Sequence, residues 1–387
     1  MTEKNIDEIA LSGDLKRLHV LKYSILKVPP VGQRFNLNAD DALMESCFKG
    51  DKPNLKLAMS RGANANYLNK TKDKLISGHY PITIASQQGH FEIVKTLIEE
   101  YNVNVNVSAV SGWTALCYAC KQGHEKIVEI LLNCLESVDD VSNKNVCGKT
   151  PLMWASRGGH LNVVNLLLRK GASIEAKTRD GGTAVHLAAS QGHEHILSLL
   201  LSRGTNASHI NRHGQNMIMA ASKYGYQEVA KVTHQMIVKQ EDKLEKMMKE
   251  SKGEYVKPAN FIDHNGETAL HIAAENGNHG IVRLLLNFGS NVNIRDFIGQ
   301  TPLMKAARNG HSNIIRFLLE KNAKEDILCA RGWSALMWAC AERQLQAARL
   351  LNPDNVAASK RIEAIKKKRI EARNTNDNES EDEESIK

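Results

Sequence analysis

Histidine and cysteine are the residues in this chain whose chemistry could be put to use, and their spacing decides what that use is. The chain carries 15 histidines and seven cysteines in 387 residues. His90, His124, His160, His193 and His311 each follow a glycine, while His186 and His271 each lie three residues after a threonine. A metal or acid–base centre needs several such groups to converge, with metal ligands held at about 2.0–2.3 Å. Residues that recur once per period sit one to a structural unit instead, about 10 Å from their counterparts, the spacing of packed helices. Cys117 and Cys120 form one Cys-x-x-Cys with no second pair and lie inside a helical pattern, which reads as two small buried thiols rather than a zinc or redox site. There is no phosphate-cradling Gly-x-x-x-x-Gly-Lys, no Gly-x-Gly-x-x-Gly, no His-Glu-x-x-His and no nucleophile elbow. No catalytic residue, no metal ligand and no cofactor is expected, and the chain reads as a non-enzyme.

The period itself is the organising feature. Residues in the position of Thr150 recur at Tyr80, Thr114, Thr150, Thr183, Asn216, Thr268, Thr301 and Ser334, with spacings of 34, 36, 33, 33, 52, 33 and 33. Stacked units rather than one globular core follow from a period in this range. Within each unit, a Thr-type residue can cap a first helix through its hydroxyl, and a proline after it, Pro151 or Pro302, suits the first helical turn. Small residues follow, then Gly-His breaks the helix. A second helix carries paired apolar positions, such as Val163-Val164 with Leu167-Leu168, on one face. A lone unit cannot bury that face, so its neighbours must cover it.

Gly182-Thr183-Ala184-Val185-His186-Leu187-Ala188-Ala189 with Gly192-His193, and Glu267-Thr268-Ala269-Leu270-His271-Ile272-Ala273-Ala274 with Gly277, resemble the ankyrin repeat signature. The resemblance implies an all-α solenoid: two antiparallel helices per repeat, a hairpin-like loop projecting sideways between repeats, and first helices lining a concave surface. It also implies that the seven histidines tie one repeat's loop to the next by hydrogen bonds. The expected organisation is a helical cap and irregular connection over 1–40 and an array over 41–352. Beyond it come a basic helix over 353–373 and an acidic tail over 374–387. The one long spacing places an insertion at 238–257, rich in helix formers, which is expected to prolong a second helix beyond the stack.

Composition limits the setting. Hydrophobic residues make up 42% of the chain and no run approaches a membrane span. The start lacks the features of a signal peptide, and the cysteines read as reduced. A cytoplasmic protein is expected, with association to the cytoskeleton or import into the nucleus as alternatives. Formal net charge is +8, which permits acidic partners without choosing one.

In a scaffold of this kind the variable positions carry specificity. Across the units from Thr114 to Ser334, loop and exposed first-helix positions hold the basic residues Lys121, Lys149, Arg157, Arg179, Arg212, Lys223, Arg308 and Arg331, against the acidic Asp180, Glu267, Glu275 and Glu342. Lys305 is placed on the same face. Positive charge is thus enriched there relative to the chain's 51 basic and 43 acidic residues. All four tryptophans fall in two positions: Trp113 and Trp333 just before the cap residue, Trp154 and Trp338 four after it. Trp113, Tyr118 and Trp154 are expected to form one aromatic patch and Trp333 with Trp338 another. Together these residues form the candidate binding site for another protein with an acidic surface. A permanent filament-associated assembly is the alternative; nucleic acid is less favoured, because the repeats offer no base-stacking groove. The chain is expected to be monomeric by itself.

Overall fold

The computed structural model describes residues 39–69, 78–109, 112–135, 145, 147–247 and 260–351, with the backbone alone over 240–247. The expected cap at Ile6–Leu21, the later part of the insertion, the basic segment and the acidic tail lie outside the described residues.

Nine helix pairs follow one another along the described residues. First helices are α1 (Ala39–Lys49), α3 (Pro81–Gln88), α5 (Ala115–Gln122), α7 (Pro151–Gly158), α9 (Ala184–Ala189), α11 (Met217–Tyr224), α13 (Ala269–Glu275), α15 (Pro302–Asn309) and α17 (Ala335–Ala341). Their second helices are α2 (Lys52–Ser60), α4 (Phe91–Glu99), α6 (Glu125–Cys134), α8 (Leu161–Arg169), α10 (Glu194–Ser202), α12 (Gln227–Met247), α14 (His279–Asn287), α16 (Ser312–Glu320) and α18 (Leu345–Leu351). Each first helix packs on the next first helix, and each second helix on the next second helix. One apolar cluster therefore runs from Leu43 to Leu351, with Val163, Val164, Leu167 and their counterparts buried between units. At 21 residues α12 is more than twice the length of the nine-residue α8. It carries the chain into the first part of the insertion.

Local chemistry explains the helix ends. Thr114, Thr150, Asn216, Thr301 and Ser334 each accept the backbone N–H three residues on, capping the first helix. Thr183 and Thr268 are also N-cap residues, with a histidine drawn into the cap. Their hydroxyls, together with their own N–H groups, pair with Nδ1 of His186 and His271, so that cap residue and histidine form a capping box. At the C-terminal end the first helix stops in a left-handed glycine, as at Gly123 with φ +79°.

That glycine also admits the next unit. A Cβ built on Gly123 would lie 2.3 Å from the His160 ring. The ring then reaches past it, and His160 Nε2 meets the Lys121 carbonyl oxygen at 3.1 Å. His90 to Phe48, His193 to Arg157 and His311 to Glu275 repeat the contact one unit apart. These histidines tie the start of a second helix to the preceding first helix, rather than loop to loop as the resemblance implies. His186 and His271 alone reach a following loop, at the carbonyls of His209 and Gln300. Asn278 takes the histidine position in its unit and donates to both Ser222 and Lys223 carbonyls. Tyr226 takes it in another and packs on Gly192.

Candidate binding surface

Each loop sets the residue just before its cap. Asn145 accepts from the Lys149 N–H, Asp263 from the Glu267 N–H and Asp296 from the Gln300 N–H, each four residues on. Adjacent loops are joined by a backbone bond, as from Arg212 N–H to the Asp180 oxygen at 2.8 Å. Lys149 is thereby fixed at the foot of α7, while Lys121 and Arg157 stand in the last turns of α5 and α7. Their backbone carbonyls are the ones held by His160 and His193. Scaffold and candidate site share these residues.

The structure brings Trp113, Tyr118 and Trp154 together. Trp113 stacks on Tyr118 with centroids 4.8 Å apart and meets Trp154 at 4.5 Å. Lys121 Nζ lies 5.4 Å from the Trp113 centroid and 5.6 Å from that of Trp154. Lys149 Nζ lies 4.9 Å and Arg157 Cζ 5.8 Å from the Trp154 centroid. Trp154 is only 7% exposed, so its ring is a floor under the cations rather than a protruding anchor. Cation–π attraction of about 0.5–2 kcal/mol per pair draws the three side-chain ends to it. Burial, then the neighbouring Arg157 and Lys149, push the Lys121 pKa down. Lys149 shifts down as well, from burial and then Arg157, with Cys147 and Asp180 opposing. Among the described residues none of the three cations has an ion pair within 4.0 Å.

A second cluster forms where expected, with Trp333 and Trp338 centroids 4.8 Å apart and Arg308 above Trp338 at 5.1 Å. Its charge is partly met within the fold, because Arg308 Nε is 3.7 Å from Glu342. Lys305 departs from the sequence expectation more sharply. It is 6% exposed and is held by Glu267, with Glu275 at 3.8 Å and Asp296 at 3.9 Å. Three carboxylates from two neighbouring units draw this cation inward, so it adds nothing to the accessible positive face. Arg179, Arg212, Lys223 and Arg331 are exposed around the rim.

Charge counting missed two features. The loop carboxylates and amides at Asn145, Asp263 and Asp296 position the site, and their fixed place five residues before each cap was the available signal. Apolar residues Ile262, Phe297, Ile298 and Leu328 are exposed in the loops of the last units. No group of three or more His, Cys, Asp or Glu that could hold a metal occurs among the described residues. Cys117 and Cys120 are buried, and burial raises both thiol pKa values. No described helix is long and apolar enough to cross a membrane.

The register, the capped helix pairs and the uncovered first-helix face define a class of protein, the α-helical repeat solenoid. The pattern described as ankyrin repeats (3 copies) matches residues 43–142, 82–178, 174–239, 234–328 and 288–363. The chain belongs to the ankyrin-repeat family, whose repeats generally mediate protein–protein interaction. Similar proteins include alpha-latroinsectotoxin-Lt1a of Latrodectus tredecimguttatus, 28% identical over 138 residues, covering 34% of this chain and 9% of the relative. The ankyrin repeat and KH domain-containing protein mask of Drosophila melanogaster is 35% identical over 109 residues, covering 28% of this chain and 2% of the relative. The probable E3 ubiquitin-protein ligase XBOS33 of Oryza sativa subsp. japonica is 44% identical over 52 residues, covering 13% of this chain and 10% of the relative. The chain spans a tenth or less of the length of these relatives.

Proposed function

We propose that the chain is a non-enzymatic scaffold that captures an acidic surface of another protein on its first-helix face, centred on the units capped by Thr114 and Thr150. The observation that carries this reading is the convergence of Lys121, Lys149 and Arg157 on the Trp154 ring with no carboxylate of the described residues in ion-pair range. Partly desolvated cations held in place attract a complementary acidic surface and speed its arrival. The opposite end of the array supports a lesser role, since Lys305 and Arg308 are already engaged by Glu267, Asp296 and Glu342. Exposed Arg179 and Arg212 extend the positive rim toward the loop tips.

The reading is tested with a polyglutamate peptide, following the fluorescence of the tryptophans. Binding is expected to weaken steeply with salt and to disappear in the Lys121→Glu, Lys149→Glu, Arg157→Glu variant. Arg308→Glu, at the far end, should leave it largely intact. Undiminished binding by the triple variant would overturn the assignment.

A further inference from the structure

Three positions relative to each cap residue form one continuous surface across neighbouring first helices: the residue before it, and the fourth and seventh after it. In the units capped by Thr114 and Thr150 these are Trp113, Tyr118 and Lys121, then Lys149, Trp154 and Arg157. In the unit that follows they are Gly182, Leu187 and Ser190, all uncharged. At these three positions positive charge is gathered at one focus and absent from the next unit, while Arg179 and Arg212 continue it in the loops.

We propose that this focus binds a phosphorylated side chain of a partner protein, with Lys121, Lys149 and Arg157 surrounding one phosphate and the flanking peptide lying against Trp113, which stacks on the buried Tyr118. This rests on the protein-binding reading above and gives its acidic group a chemical identity. A carboxylate presents two oxygens and a single charge. A phosphomonoester presents three terminal oxygens and about −1.5 to −2 charge near neutral pH, which matches three cations that have no ion pair within 4.0 Å among the described residues, Asp180 acting on Lys149 only from farther off. Arg157 adds a planar fork suited to two phosphate oxygens. The common floor matters as well: the three cationic groups stand 4.9, 5.6 and 5.8 Å from a single ring centroid. Part of their ordering is completed before an anion arrives, and preorganisation of this kind favours binding. A nucleic-acid backbone would instead need cations for successive phosphates, and these first-helix positions supply none between Arg157 and Lys223.

The experiment uses the full chain and three fluorescent peptide pools with randomised flanks and a fixed central phosphoserine, glutamate or serine. Fluorescence anisotropy is expected to give at least tenfold tighter binding for the phosphoserine pool than for the glutamate pool. That binding should strengthen from pH 5 to 7.5, as the second phosphate proton leaves near pH 6. The combined Lys121→Gln, Lys149→Gln, Arg157→Gln variant should lose at least tenfold in affinity, with circular dichroism and the unfolding midpoint reporting that the array is folded. Arg157→Lys, which keeps the charge and removes the fork, should fall between the two. Equal affinity for phosphoserine and glutamate pools would overturn phosphate recognition and leave the acidic-partner reading standing. Failure of both pools would remove both readings, and a thymidine oligonucleotide that outcompetes the phosphopeptides would overturn the proposal in favour of nucleic acid.

Discussion

His160 Nε2 lies 3.1 Å from the carbonyl oxygen of Lys121, so a residue whose side chain charges the candidate site has its backbone held by the next repeat. The imidazole N–H donates and the carbonyl accepts. This places the bond on two links at once, repeat cohesion and site geometry. His160→Ala should lower unfolding free energy by about 1–3 kcal/mol, since the acceptor is left unmet and a ring is lost. His160→Asn should recover much of this, because Asn278 already makes the equivalent contact in its own unit. Urea unfolding of both variants checks it; equal losses would show that the hydrogen bond is not what matters.

Gly123 and Gly62 separate backbone strain from crowding. Both are left-handed, at φ +79° and +88°, but nothing lies within 4 Å of a Cβ on Gly62, whereas the His160 ring is 2.3 Å from one on Gly123. Gly62→Ala should cost about 1–2 kcal/mol, the left-handed penalty alone. Gly123→Ala should cost clearly more, and unfolding midpoints measured side by side report the difference.

Acidification should destabilise the array. Burial, and then the nearby His209, lower the His186 pKa to about 4 from an ordinary 6.5. Between those values the unfolded chain binds the proton and the folded one does not, so this contribution is complete above pH 6.5 and lost by pH 4. The interval corresponds to about 3 kcal/mol at most. His271 shifts in the same direction, chiefly from burial. Geometry agrees, because Nδ1 of each ring accepts from a threonine N–H that a second proton would confront. Unfolding measured from pH 7 to 4.5 should show the loss, and His186→Gln should flatten the slope.

Lys305→Met should reduce stability rather than partner affinity. Removing the cation leaves Glu267, Glu275 and Asp296 facing one another, with the Asp296 side chain 2% exposed. Breaking a buried pair in this way costs about 3–5 kcal/mol. Adding Glu267→Gln should restore part of it, and a thermal melt of the single and double variants distinguishes this from a surface lysine, whose loss would be nearly silent.

Much of the scaffold could be read from spacing, because every unit solves the same problem with the same residues. Thr150, Pro151, Gly159 and the Val163-Val164 pair state a capped helix, its stop and a buried face by themselves. Trp113 with Trp154 was legible for the same reason, as a shared register places them side by side. Lys305 was not legible by counting charge along the chain. Its partners sit at positions 267, 275 and 296, each of which taken alone looks like an exposed variable site. The same three-position comparison that joins Lys149 to Lys121 would have set Glu267 and Glu275 beside Lys305. Thr183 and Thr268 were legible as caps, whereas the histidine three residues later that joins each of them in a capping box was read only as a link between repeats.

The tyrosine at position 226 has a consequence for how the solenoid yields. Four neighbouring joints are fastened by a ring or amide reaching a carbonyl beside the glycine turn, at His160, His193, Asn278 and His311. Where Tyr226 packs on Gly192 instead, a side-chain fastening is His186 on the His209 carbonyl, and burial lowers the pKa of that ring. The joint that acid reaches through His186 thus lies in the interior of the array. It lies beyond the units that carry Trp113, Lys121, Lys149 and Arg157, so protonation of His186 does not touch the ring contacts that gather those four side chains.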